Sequence, residues 1–166
     1  MRKEIGFFDV FRETLDKLDG DGILLVAGDP PNPMTIGWGT LGYIWHKQII
    51  TVMVRPTRYT FNLMENIKDF SVCVLPDQFG KELSLCGNRS GRDTDKLALC
   101  NLHTEKCFKA DAFFLSESEI HFECRMVHKH PLDPATLDPA IIKRYYPKRD
   151  FHTVYYGEIL GIYGQG

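Results

Sequence analysis

Turn residues divide the chain into many short apolar runs, and this division limits its possible folds more than any other feature. Strand-like runs are predicted at residues 23–27, 34–45, 48–54, 70–75, 102–108, 112–115, 119–128 and 153–163. Runs of this length with few intervening helices are typical of antiparallel sheets that close on themselves. The sequence therefore predicts a mainly β chain, with an antiparallel barrel and peripheral α-helices.

Helical patterns occur between the strand-like runs. Apolar residues recur at helical spacing over residues 7–18, which predicts an amphipathic helix that plugs one end of the barrel. Further helical segments are predicted after Thr57, at 81–88 and at 95–100. Residues 131–150 contain four prolines and are predicted to form a long loop with one helical turn at 139–145.

Size and composition limit the class of protein. A chain of 166 residues with 43% apolar and 25% charged residues is expected to form one domain, residues 1–166. A net charge of −2 gives no electrostatic reason to expect binding to nucleic acid or to an anionic membrane. No apolar run approaches the roughly 20 residues of a membrane span, and the N-terminus lacks a signal-peptide core. We expect a cytoplasmic protein.

The cysteines do not indicate a disulfide framework. There are five, an odd number, and no CxxC motif, which favours reduced thiols that pack as small apolar residues. Cys100 and Cys107 flank His103, and a metal site there is the alternative reading. We expect no metal.

Two neighbouring runs carry the features of a ligand site. The run that ends at Val54 leads into a turn with two arginines and two threonines at residues 55–60, followed by a helical pattern. Arginine forks, hydroxyls and the free amides of a helix start all bind anions. Thr57 could instead serve only as the helix N-cap. The other run, 34–45, is rich in glycine and aromatic residues, and glycine within a strand often marks close approach by a ligand. Together they indicate a planar apolar ligand with an anionic tail.

Other catalytic patterns are missing. There is no GxGxxG motif in a strand–turn–helix setting, no GxSxG motif and no Cys/His hydrolase pattern. We therefore expect no catalytic side-chain set. This agrees with chemistry that a bound cofactor carries out by itself.

Five motifs in order make the chain resemble the flavin reductase-like family, with the flavoredoxin-like subgroup as the best fit. They are Asn32-x-Met34-Thr35-x-x-Trp38, Val54-Arg55-Pro56-Thr57-Arg58-Tyr59-Thr60, Ser90-Gly91-Arg92-Asp93-x-Asp95-Lys96, Glu123-Cys124-Arg125 and the segment from His152 to Glu158. The resemblance implies an FMN-binding, antiparallel split β-barrel of Greek-key type. It also implies NAD(P)H as electron donor and a homodimer with FMN sites at its interface.

The resemblance assigns roles to twelve residues. The expected cofactor-binding set is Asn32, Met34, Thr35 and Trp38 along the ring, Arg55, Thr57, Arg58 and Thr60 at the phosphate, and Gly91, Arg92, Lys96 and His152 elsewhere around the flavin. Plainer readings are a core Trp38, a surface turn at residues 90–93 and a His152 without contact to the ligand.

Function is expected to be that of an NAD(P)H-dependent flavin reductase. One alternative is a flavoredoxin-type electron carrier that keeps FMN and exchanges electrons with a redox protein partner. The other is a non-catalytic binding module, since fold does not fix function. The loop at 131–150 has no clear counterpart in the family pattern and is expected to cover or reshape the nicotinamide side. The chain ends soon after its last strand, which predicts a more open pocket.

Overall fold

A computed structural model describes all residues from Met1 to Gly166. The ten strands are β1 (Arg2–Glu4), β2 (Ile23–Ala27), β3 (Asn32–Ile36), β4 (Gly39–Ile44), β5 (Lys47–Val54), β6 (Asp69–Val74), β7 (Thr104–Lys106), β8 (Phe113–Leu115), β9 (Ile120–Pro131) and β10 (Thr153–Gln165). The five α-helices are α1 (Phe7–Asp19), α2 (Tyr59–Met64), α3 (Gly80–Asn88), α4 (Lys96–Cys100) and α5 (Pro139–Tyr145), with a 3₁₀ turn at Asp77–Phe79.

Seven of the strands form one antiparallel sheet in the order β3-β2-β6-β9-β10-β5-β4. Strand β1 pairs with the C-terminal end of β10, beyond the part of β10 that pairs with β5. Strands β7 and β8 pair separately. The two terminal strands of the order, β3 and β4, are joined by only two residues, Gly37 and Trp38. The prediction of a mainly β, antiparallel fold with peripheral helices is confirmed.

Apolar side chains pack on both faces of the sheet, which explains the unbroken apolar run at 23–27. In β2, Leu25 and Ala27 point into the larger core cluster beneath α1, whereas Leu24 and Val26 point into a smaller cluster that contains residues of α3, α4 and β8. A strand that is covered on both faces shows no polar alternation.

The single strand predicted over residues 34–45 is wrong. Residues 32–36 pair with β2, and residues 39–44 pair with β5, so the chain leaves one edge of the sheet and enters the other. A side chain on Gly39 would collide with the carbonyl oxygen of Thr51, at 2.5 Å. Glycine therefore permits close approach of the backbones here, but the sequence pattern did not reveal the change of partner.

Apolar and polar residues alternate over residues 119–128, which predicts a strand with one polar face, and the structure of β9 differs at this face. His121 and Glu123 are fully buried because the segment around β8 covers them, and the His121 ring stacks on Phe114 at 3.8 Å between centroids. Period-two alternation identified the strand, but the second face is not solvent-exposed at these positions.

Helix α2 begins later than expected. Arg58 occupies its N-cap position and no side chain caps it, so the interpretation of Thr57 as the N-cap is wrong. The helix has only six residues, so anion binding near it must depend on side chains more than on a helix dipole. By contrast, α5 occupies the predicted residues 139–145. The longest helix, α1, has 13 residues, and no helix is long and apolar enough to span a membrane.

Candidate functional site

The register of the sheet brings two predicted site residues together. Thr153 at the start of β10 pairs with Val54 at the end of β5. The residues just beyond these ends, His152 and Arg55, therefore lie side by side. Both line a cavity of about 240 Å³, which we call the aromatic pocket.

The lining of the aromatic pocket combines apolar and polar residues. They are Met34, Thr35, Ile36, Gly37, Trp38, Met53, Arg55, Arg58 and His152. Trp38 is 42% exposed, and its ring contacts those of Tyr145, at 5.1 Å, and His152, at 5.3 Å. Apolar side chains together with a few hydrogen-bonding groups are suited to a planar organic ligand.

A second cavity, the basic pocket, has a volume of about 150 Å³. It is lined by Thr57, Arg58, Tyr59, Thr60, Asn88, Arg89, Ser90, Gly91, Arg92 and Lys96. These include four cationic residues, several hydroxyls and no carboxylate, which is a donor set suited to an anion. Arg58 lines both pockets, so the two lie next to each other.

The donors of Arg55 are already engaged. Its guanidinium forms an ion pair with Oδ1 of Asp150 at 2.9 Å and donates to the carbonyl oxygen of Tyr145 at 3.0 Å, and it lies over the ring of Tyr146 at 4.8 Å. Arg55 therefore holds the turn at residues 145–150 against the aromatic pocket. This geometry differs from the phosphate-binding role expected for Arg55.

Arg58 keeps more of its hydrogen-bonding capacity. One of its terminal nitrogens donates to the carbonyl oxygen of Gly87 at 2.7 Å, which orients the guanidinium between the two pockets. Burial lowers the pKa of Arg58 from its ordinary value. A guanidinium that is partly desolvated and has free N–H groups gains by binding an anion.

Lys96 supports the loop between α3 and α4 from below. Its ammonium donates to the carbonyl oxygens of Pro33 and Cys86, both at 2.9 Å, and the side chain is buried. Burial lowers its pKa to about 8. Asp95 adds a side-chain cap at the start of α4, accepting from the amide of Ala98 at 3.1 Å. The loop is therefore fixed at its base while its arginines face the basic pocket.

Asn32, Thr60 and Gly91 form a close-packed corner of the site. Nδ2 of Asn32 donates to Oγ1 of Thr60 at 3.0 Å, and both side chains are buried. A Cβ on Gly91 would overlap the Asn32 side chain and lie 2.7 Å from Cδ1 of Tyr59. Only glycine allows the loop to approach β3 and α2 this closely.

His152 is paired with a residue that the sequence did not single out. Nδ1 of His152 lies 2.7 Å from the hydroxyl of Tyr146, and both residues are buried. Burial, with the nearby Arg55 charge, lowers the pKa of His152 to about 4. The imidazole is therefore neutral at physiological pH.

The twelve predicted residues gather in one region of the molecule. The aromatic pocket contains Met34, Thr35, Trp38, Arg55, Arg58 and His152, the basic pocket contains Thr57, Arg58, Thr60, Gly91, Arg92 and Lys96, and Asn32 joins the second group through Thr60. The missed residues include Tyr145, which is the last residue of α5, and Tyr146 and Asp150, which follow the helix in a segment without periodicity. The adjacent tyrosines before Pro147 were the one available signal.

The metal alternative has no geometric basis. The thiol of Cys100 lies 3.9 Å from that of Cys86, and His103 pairs with Glu117 through Nδ1 at 2.7 Å. No group of three or more histidine, cysteine, aspartate or glutamate side chains is arranged to hold a metal ion.

Comparison with known families identifies the family to which the chain belongs. The family model described as "Flavin reductase like domain" matches residues 21–165, so the chain belongs to the flavin reductase-like family. A protein of Archaeoglobus fulgidus is 28% identical over 105 residues, which are 63% of this chain and 59% of that protein. The match thus spans less than two thirds of that relative.

Solved structures share the fold. Flavoredoxin from Methanosarcina acetivorans has a TM-score of 0.67 and 23% identity, over 87% of this chain and 68% of the other. The NADH:FAD oxidoreductase of Streptomyces globisporus C-1027 has a TM-score of 0.67 and 16% identity, over 98% and 87%. The chain therefore shares its fold with a protein named flavoredoxin and with one named NADH:FAD oxidoreductase.

Proposed function

We propose that this protein binds FMN and acts as an NAD(P)H-dependent flavin reductase. The observation that carries the proposal is the pair of adjacent pockets, one lined by Trp38 and His152 and one with four cations and no carboxylate. FMN has a planar ring and a terminal phosphate, so its two parts match the two pockets in chemistry. Family membership supports the same choice of ligand.

Each part of the site has a distinct binding role. Met34, Ile36 and Met53 would provide the apolar contact for the ring, with Trp38 beside it. Arg58, Arg92 and the hydroxyls of Thr57 and Thr60 would hold the phosphate, and Lys96 would support the loop that carries Arg92. When bound, FMN supplies the hydride and electron chemistry. The protein supplies orientation and electrostatics.

The choice of donor rests on the turn above the aromatic pocket. Lys143, Arg144, Lys148 and Arg149 are exposed cations, none of which forms an ion pair with a carboxylate. They flank Tyr145, whose ring contacts Trp38. Cations beside an aromatic pocket favour a pyridine nucleotide, which carries phosphates and a flat ring.

A flavoredoxin-type electron carrier is the second candidate. The half-exposed Trp38 at the pocket edge favours it, because electron transfer to a protein partner requires a cofactor site near the surface. The structural likeness to a flavoredoxin points the same way.

Assembly and location complete the proposal. Large aromatic side chains are exposed at two places. Phe8 and Tyr43, which are 75% and 54% exposed, contact each other, and Trp45, which is 57% exposed, contacts His128 and Tyr156. Exposed aromatic residues of this kind support a homodimer with FMN sites at the interface. All five cysteines are free thiols, which supports a cytoplasmic location.

The test is anaerobic visible spectroscopy of the purified protein after addition of FMN. Bound flavin whose absorbance bleaches with NADPH or NADH supports the reductase. Absorbance that bleaches only with dithionite supports the electron carrier. Failure to bind FMN would exclude both, and light scattering on the same sample reports whether the protein is dimeric.

A further inference from the structure

The pair formed by Tyr146 and His152 carries a further inference. We infer that Tyr146 is a positioning residue, which fixes His152 as the tautomer protonated on Nε2 and so presents an uncharged hydrogen-bond donor to the aromatic pocket. The ligand class that such a donor selects is a planar ring with a carbonyl oxygen or an unprotonated ring nitrogen. The assignment of the tautomer does not depend on FMN binding, but the ligand class rests on the proposed function.

The tautomer follows from the hydrogen bonds that are available. The Tyr146 hydroxyl is buried, and its one hydrogen-bond partner through side-chain atoms is Nδ1 of His152, at 2.7 Å. If Nδ1 carried the proton, the hydroxyl hydrogen would have no acceptor, which is costly for a buried group. The hydroxyl therefore donates to Nδ1, and the imidazole proton is on Nε2.

The surroundings keep the histidine neutral. Arg55 from β5 lies beside His152, and its charge disfavours a second cation; Asp150 acts in the opposite direction but is paired with Arg55 at 2.9 Å. Arg58, which lines the same pocket, adds another positive charge. Burial raises the pKa of Tyr146, so the phenol keeps the proton that it donates.

The same arrangement explains why the turn at 145–150 is held so closely. Arg55 binds the turn through Asp150 and the carbonyl oxygen of Tyr145, and its guanidinium covers the Tyr146 ring. The hydroxyl of Tyr146 is thereby aimed at His152. The rings of Phe151 and Tyr146 pack at 5.0 Å and support the tyrosine from another side.

Nitrogen NMR of the imidazole tests the inference in the protein without ligand. In the wild type, we expect His152 to show a protonated Nε2 and a hydrogen-bonded, unprotonated Nδ1 from pH 8 to pH 5. Tyr146→Phe removes the donor but keeps the ring, so both tautomers should be populated. The His152 pKa should also rise toward its ordinary value, because the bond to Nδ1 favours the neutral form.

Tyr145→Phe is the matched control, since Tyr145 is adjacent and its hydroxyl makes no hydrogen bond to His152. It should leave the His152 tautomer and pKa unchanged. A wild-type His152 protonated on Nδ1, or a Tyr146→Phe variant with unaltered His152 signals, would overturn the inference.

The ligand part is tested separately by adding FMN. A downfield shift of the Nε2 proton signal would support a hydrogen bond to the ring. FMN that binds without altering this signal would overturn the ligand class. If FMN does not bind at all, the proposed function and the ligand class that rests on it fail, while the tautomer result stands or falls by itself.

Discussion

Two loops of this protein are held by buried or half-buried polar groups. Comparing them distinguishes polar groups that only hold the structure from polar groups that are available to bind a ligand. The loop at residues 108–111 is held by Glu123 and Asp69, on the far side of the sheet from α1. Glu123 accepts from the amides of Phe108, Lys109 and Ala110, and from His121. The turn at residues 145–150 is held by Arg55. One anchor is a carboxylate enclosed by its loop, and the other is a cation beside a pocket.

The two regions differ in how many hydrogen-bonding atoms remain without a protein partner. In the first loop the carboxylate oxygens are all engaged, and Asp69 is likewise bonded to Arg125 and to the amide of Asp111. In the basic pocket, which adjoins the region of Arg55, Arg58 and Arg92 keep N–H groups without protein partners, and they face a cavity without carboxylates. Burial alone therefore does not mark a binding site. Unused donors that face a cavity do.

The largest effect is expected for Glu123→Ala. It would leave three backbone amides without their acceptor and lower the free energy of unfolding by about 3–5 kcal/mol. Urea denaturation measures the change. FMN affinity, measured below the midpoint of unfolding, should stay within a factor of about two, because the carboxylate does not line either pocket. A loss below about 1 kcal/mol would contradict the structural role of Glu123.

Arg58→Ala tests whether the basic pocket binds the phosphate. Loss of the guanidinium that lines both pockets should weaken FMN binding about 100-fold, because a charged hydrogen bond to phosphate contributes about 1.5–3 kcal/mol. Fluorescence titration of the flavin gives the dissociation constant. Arg12→Ala is the control, since Arg12 is exposed on α1 in a pair with Asp16. Equal affinities for the two variants would remove Arg58 from the site.

Gly91→Ala tests the close packing of the loop. The added methyl group would collide with Asn32 and Tyr59 and push the loop with Arg92 away from the basic pocket. We expect FMN affinity to fall about tenfold, or by about 1.4 kcal/mol, with the fold retained. Gly42→Ala is the matched control, because no atom lies within 4 Å of its added Cβ. Unchanged affinity in Gly91→Ala would show that the loop does not bind the ligand.

The smallest expected effect is the uptake of protons when FMN binds. Burial lowers the pKa of Lys96 to about 8, so above that pH the free protein has partly lost this proton. A phosphate nearby favours the ammonium and raises its pKa, so when FMN binds near pH 9 Lys96 should take up a fraction of one proton. At pH 6.5 Lys96 is already charged and should contribute no uptake. Calorimetry in buffers of different ionisation enthalpy measures this uptake. Lys96→Met should abolish it, and equal uptake in that variant would exclude Lys96 as its source.

Much of the architecture could be predicted from local patterns. The helix from Phe7 follows the helical spacing of its apolar residues, the helix at 139–145 occupies the predicted residues, and β2 and β10 follow their apolar runs. The break at Gly37 and Trp38 could not, because partner choice depends on strands distant in sequence. The twelve residues expected in the site were predicted from motifs, and they gather around the two pockets. The engagement of Arg55 by Asp150, however, depends on a loop whose position no local pattern encodes.

The terminal place of β3 in the sheet has a consequence for hydrogen exchange. Strand β3 pairs only with β2, so alternate amides along residues 34–36 face away from the sheet. Deuterium can reach them through small local openings, whereas β6 and β9 lie between two strands each and exchange only through larger unfolding. Because Met34, Thr35 and Ile36 line the aromatic pocket, a ligand there shields this one edge. Slower exchange at β3, with exchange at β9 unchanged, therefore reports whether a ligand occupies the aromatic pocket.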